Sequence, residues 1–276
     1  MEGLSAADLA WLALGALLVG FAKTAIGGVA SLSVALFAAV LPARESTGTL
    51  LPLLIAGDLF ALHAYRAHAE WTTLVRLFPA VAVGVVAGAV FVAQVDDVAM
   101  RRTIGAVLLG LVLVTLWRRR GAEPSNGAAD DPAGHPADDP AAADLAPATA
   151  QQVPAKDRGR RWPAAVGFGS LAGFTTMVAN AGGAVMSLYL LTARLDKLAF
   201  LGTAAWFFFL VNVFKVPFSI GLGLLTPDSL TLNATLVPAV IVGAVLGRLV
   251  IRRVDQSLFE RLVIVFTALS SVNLLR

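Results

Sequence analysis

Two apolar runs, Leu9 to Val19 and Val29 to Leu41, are separated by the break Gly20-Phe21-Ala22-Lys23-Thr24-Ala25-Ile26-Gly27-Gly28, and this break constrains the fold more than any other stretch. It puts a cation and three glycines inside what would otherwise be one greasy segment. A charge in hydrocarbon costs about 3 kcal/mol on insertion scales, so a lysine there marks a candidate site with an anionic partner. That cost applies only in a membrane, and composition points to one. Of the 276 residues 58% are hydrophobic and only 14% charged, far from the usage of soluble domains.

A membrane-crossing helix needs roughly 20 apolar residues. Thr49 to Tyr65, Thr72 to Ala93 and Val98 to Trp117 meet that length in the first half, and Leu198 to Leu224, Leu230 to Leu249 and Leu258 to Leu275 in the second. Around the opening break, Ala7 to Gly20 and Gly28 to Leu41 are shorter. So are Trp162 to Ala172 and Ala184 to Thr192 around a second glycine-bearing break. Each short pair predicts a helical hairpin, re-entrant or fully spanning. Between the halves, Gly121 to Gln152 is Ala, Pro, Asp and Gly without apolar periodicity, the composition of a disordered linker. The expected organisation is a first transmembrane repeat over residues 1–118, a linker over 119–161 and a second repeat over 162–276.

The halves match in order. Gly20-Phe21 corresponds to Gly173-Phe174, Gly27-Gly28 to Gly182-Gly183, and Gly48-Thr49 to Gly202-Thr203. Pro79, Gly84 and Gly88 correspond to Pro238, Gly243 and Gly247, and Asp96 to Asp255. Arg118, Arg119, Arg120, Lys156, Arg158, Arg160 and Arg161 flank the linker, so the positive-inside rule puts it in the cytoplasm of a multi-pass protein of the cell (inner, cytoplasmic) membrane. A hairpin plus three spans then starts each half on opposite faces. The expected fold is therefore all-α and polytopic, with two inverted repeats. In transporters of that design the substrate site lies near the midplane, at interrupted helices.

Two tips meeting there would offer backbone N–H groups and positive helix ends to a small anion. The candidate substrate-binding residues are Lys23, Thr24, Gly27 and Gly28 from one break, with Thr175, Thr176, Asn180, Gly182 and Gly183 from the other. Helix capping and interhelical hydrogen bonding compete as roles for Thr175, Thr176 and Asn180. For Lys23 the competing reading is snorkelling to the interface. Asp58, inside the third segment, needs either a partner such as Lys23 or a proton, which makes it the candidate for proton coupling. His63, Asn212 and Lys215 are secondary candidates, Asn212 being the counterpart of Asp58 in the repeat.

Other classes are disfavoured. The chain has no cysteine, and His63, His68 and His135 form no paired metal-ligand spacing, so no metal and no cofactor is expected. The spans carry no nucleophile with a base partner, which argues against an enzyme, and nothing points to nucleic acid. A cleaved signal peptide is not expected, since Met1-Glu2-Gly3 lacks a basic start and Asp8 follows.

With its glycine break, the segment Leu51-Pro52-Leu53-Leu54-Ile55-Ala56-Gly57-Asp58 followed by Tyr65 and Trp71, the Pro79, Gly84, Gly88 helix and the duplicated half, the chain resembles the sulfite exporter TauE/SafE family, or toluene sulfonate uptake permeases. The resemblance covers all but residues 121–161. It implies a permease for sulfite, sulfonates or similar anions, with protons as the coupling ion. Each break carries a glycine pair where many relatives carry a longer run, and the absence of cysteine argues against a persulfide relay. An anion channel and a carboxylate transporter are the alternatives.

Overall fold

The computed structural model describes residues 4–25, 29–120, 155–192 and 197–250. Gly27, Gly28, most of the linker, Asp255 and the expected span Leu258 to Leu275 lie outside the described residues. Among the described residues every regular element is helical. They are α1 (Ala6–Thr24), α2 (Ala30–Val40), α3 (Ala43–Tyr65), α4 (Trp71–Gln94), α5 (Asp97–Arg120), α6 (Ala155–Ala179), α7 (Gly182–Thr192), α8 (Lys197–Gly221) and α9 (Pro227–Val250), with a 3-10 turn Arg66–His68 between α3 and α4. Five of them are long and apolar enough to cross a membrane.

Local chemistry fixes the ends. Ser5 and Asp8 form a reciprocal capping box that starts α1, the Asp8 N–H donating to Ser5 Oγ (3.1 Å) and the Ser5 N–H to Asp8 Oδ2 (3.0 Å). The start of α3 has no cap of its own. Asp97 supplies one from α5, accepting from the Ala43 and Arg44 N–H groups at 3.2 and 3.0 Å. Arg44 in turn donates to the Val92 and Val95 carbonyls where α4 ends. The α2–α3 corner and the α4–α5 corner are thereby tied together at one end of the bundle.

The hairpins are unequal. The arms α2 and α7 have 11 residues each, about 16 Å of helix, whereas α1 has 19 residues and α6 has 25. The first arms are thus longer than the short pieces expected from sequence; only the returning arms keep that length.

Each first arm packs against a helix of the other half, backbone to backbone. On α1, a Cβ at Gly20 would overlap the Val240 carbonyl and the Ala244 N, while Gly243 and Gly247 of α9 abut the Leu17 and Phe21 carbonyls. On α6, a Cβ at Gly173 would overlap the Val81 carbonyl and the Val85 N, while Gly84 and Gly88 of α4 abut the Ser170 and Phe174 carbonyls. The numbering rises together in both crossings, so α1 runs parallel to α9 and α6 parallel to α4. Glycine is required because any side chain would hold the axes apart. A third crossing repeats itself at the ends of α3 and α8: Gly48 lies against Leu224, and Gly202 against Tyr65 and His68. The shared core includes Leu12, Phe37, Leu53, Val81, Met100, Ile104, Leu108, Met177 and Phe207, all less than 2% exposed.

Candidate functional site

Lys23 sits in the last turn of α1. Its side chain turns inward: Nζ is 2.6 Å from Asp58 Oδ1 and 4.4 Å from the centroid of the Phe208 ring. The two side chains are 8% and 0% exposed, so the lysine is held in the protein and does not snorkel. Gly57 makes room for it, since a Cβ there would meet Lys23 Cγ at 2.9 Å. The other Asp58 oxygen, Oδ2, accepts from Asn212 Nδ2 on α8 at 2.7 Å. The partner expected for Asp58 is therefore present, and Asn212, its expected counterpart, is hydrogen-bonded to it.

One turn along α8, Lys215 is only 1% exposed. Its Nζ donates to the Thr176 carbonyl (2.7 Å) and to Asn180 Oδ1 (2.6 Å) at the end of α6. Among the described residues it has no carboxylate within ion-pair distance. Asn180 closes α6 with φ +49°, a left-handed conformation that asparagine adopts more readily than most residues. Its Nδ2 donates to the Thr47 carbonyl of α3 (3.0 Å), and Thr47 Oγ1 reaches the Ala43 and Val178 carbonyls.

The two breaks are thus joined through α3 and α8. Asp58, beside the first break, and Thr47, beside the second, lie about 16 Å apart along α3. Each first arm runs on beyond the depth at which a tip-to-tip meeting would occur, and Asp58, Asn212 and Lys215 bridge the interval. The assembly is enclosed. The open depression on the outside of α5, lined by Arg102, Thr103, Ala106 and Val107, is remote from these residues in the chain and shares none of them.

Other candidates have different surroundings. Thr24 Oγ1 donates to the Ala244 carbonyl at 2.8 Å and approaches the Gly20 and Phe21 carbonyls, which makes it part of the α1–α9 crossing. Thr175 Oγ1 donates to the Leu171 carbonyl of its own helix at 2.8 Å. Thr176 contributes its carbonyl to Lys215. Gly182 begins α7 tight against α6, where a Cβ would meet Thr176 Cβ at 2.8 Å; Gly183 is half-buried. His63 is exposed and not brought to Asp58, because five residues at 100° each turn it well away from that face.

Several residues escaped the sequence reading. Thr47 is one, although the polar run Ser46-Thr47-Gly48-Thr49 ahead of an apolar stretch was a visible signal. Phe208 gave none. The Tyr65 hydroxyl donates to the Thr24 carbonyl at the end of α1 (3.1 Å). Ser33 Oγ, Thr49 Oγ1 and both Asn233 side-chain polar atoms are buried without a protein hydrogen-bond partner. Among the described residues no three His, Cys, Asp or Glu side chains could hold a metal.

Helices of membrane length packed around enclosed charged side chains define a polytopic α-helical membrane protein. The family described as sulfite exporter TauE/SafE matches residues 12–274, and the chain belongs to that family of membrane transporters. No curated protein and no solved structure matches it.

Proposed function

We propose that this protein is a secondary transporter of a small sulfur-containing anion, sulfite or an organosulfonate, coupled to protons through Asp58. The observation that carries the reading is the enclosed set Lys23, Asp58, Asn212 and Lys215, which connects two interrupted helical hairpins. Buried ion pairs seldom add stability over apolar packing, so a charged set in a membrane bundle calls for a functional explanation. The family supplies the substrate class.

The reading includes two inverted repeats, residues 1–118 and 162–276, joined by a cytoplasmic linker in the inner membrane. Its support is the exchange in packing: α1 crosses α9 as α6 crosses α4, through glycines that correspond in order along the two halves. The start of α9 lies beside the start of α3, whereas α4 begins where α3 ends, so α1 and α6 run in opposite directions. Hairpins entering from opposite faces suit alternating access. Protonation of Asp58 would release Lys23, and the release would loosen the contact between α1 and α3. A channel is disfavoured by enclosure, since Asp58 and Lys215 are at most 1% exposed.

The test is flux in proteoliposomes. Radiolabelled sulfite or methanesulfonate should move, faster with an imposed pH gradient, and Asp58→Asn should abolish the acceleration by the gradient. Absence of flux for every anion tried overturns the transport reading. Flux indifferent to the gradient removes proton coupling alone.

A further inference from the structure

The charges in the enclosed set do not balance. Lys23 and Asp58 neutralise each other at 2.6 Å. Lys215 has the same depth of burial and only neutral acceptors, the Thr176 carbonyl and Asn180 Oδ1. The end of α6 offsets some of its charge, since the carbonyl end of a helix carries about half an elementary negative charge. Among the described residues nothing offsets the remainder. The charged groups among them whose fields reach Lys215 are Lys23 and Asp58, and they oppose each other. A buried ammonium left in that state is costly, and either loss of its proton or an added anion relieves it.

The same corner holds the start of α7. Gly182, its first residue, presses on Thr176, the residue whose carbonyl holds Lys215. The first N–H groups of a helix have no intrahelical acceptor and favour an anion. A buried ammonium and the first turn of an 11-residue helix are therefore brought to one place by Thr176 and Asn180.

We propose that Lys215, with the first turn of α7, is the seat of the transported anion, and that the seat is built for a single negative charge. Lys23 is then a structural and coupling partner of Asp58 and does not bind substrate. This rests on the transport reading and specifies its site. One uncompensated positive charge matches a monoanion such as methanesulfonate, whereas a dianion such as sulfate would bring an excess negative charge into a low-dielectric interior.

Binding of methanesulfonate and of sulfate to the purified full chain, measured by calorimetry, tests it, with flux of the same anions followed in parallel. Wild-type protein should prefer methanesulfonate by at least about tenfold. Lys215→Met should weaken methanesulfonate binding by at least about tenfold, and Lys215→Arg, which keeps the charge, should weaken it less. Asp58→Asn adds a second uncompensated cation and should shift the preference toward sulfate, a change that a purely structural lysine would not produce. Wild-type affinity in Lys215→Met overturns the proposal while leaving transport standing, as does a wild-type preference for sulfate. If Lys215→Met does not fold, the preference of wild type and its change in Asp58→Asn still decide. No flux and no binding of either anion by wild type removes the transport reading itself.

Discussion

The two breaks share a scaffold and differ in charge. At the first, α1 ends with Lys23 against Asp58 and under Phe208, a closed ion pair. At the second, α6 ends in Asn180, a neutral residue that holds a lysine belonging to α8. Behind both, the glycine crossings repeat: Gly20 on Val240 and Ala244, Gly173 on Val81 and Val85. The two crossings share a backbone packing, whereas the ionisable residues beside them differ. Here the first break carries a closed Lys23–Asp58 pair, and the second a lysine with no carboxylate partner among the described residues.

The comparison is broken most severely at Asp58. Asp58→Ala leaves Lys23 buried without its carboxylate, and breaking a buried pair from one side costs about 3–5 kcal/mol. Unfolding of the purified protein in detergent should show that loss, and Lys23→Met added to it should restore part of the stability, as expected of residues that interact directly. No restoration would mean that Lys23 and Asp58 act independently. The crossings come next. Gly20→Ala and Gly173→Ala each force a methyl into a backbone carbonyl and should each cost about 1–3 kcal/mol. Similar losses at the two sites support the shared scaffold; a loss at one alone sinks it. Gly167→Ala is the control, since nothing lies within 4 Å of a Cβ there.

The threonines sharpen the comparison with a smaller effect. Thr24 bridges two helices, whereas Thr175 bonds only within its own. Thr24→Val should cost about 0.6 kcal/mol, the average for an interhelical hydrogen bond in a membrane bundle, and Thr175→Val less. Equal losses from the two would put Thr24's contact with Ala244 in doubt.

Much of the fold was legible because a membrane helix announces itself by length and apolarity. The expected segment Thr72 to Ala93 is α4, Trp71–Gln94, and Leu230 to Leu249 is α9, Pro227–Val250. The first arms were read too short for a definite reason. Phe174 to Ala179 carries two threonines after a glycine and looks like a loop, but Thr175 returns its hydroxyl to the Leu171 carbonyl and the helix continues. Lys23 looked like the end of an apolar run, but its charge is met by Asp58 on another helix.

The site was legible in its parts more than in its arrangement. Pairing of Lys23 with Asp58 could be anticipated from the cost of burying either alone. That Asp58 also bonds Asn212 could not, because the contact joins two helices far apart in the sequence. The contact between Lys215 and Asn180 joins residues on α8 and α6 and leaves no local pattern. His63 is close to Asp58 in the sequence, but five residues turn it to another side of α3, a separation that spacing alone does not display.

Alternating access predicts that the two breaks open to opposite sides in turn, and the chain is well suited to testing this because it contains no cysteine. Ala25 at the end of α1 and Ala181 at the start of the second break are 3% and 6% exposed. Single variants Ala25→Cys and Ala181→Cys, in vesicles of known orientation, can be treated with a membrane-impermeant maleimide from each face. Each position should be labelled from one face only, the two from opposite faces, with methanesulfonate changing the two labelling rates in opposite directions. Labelling of both positions from the same face, unaltered by the anion, would contradict the account.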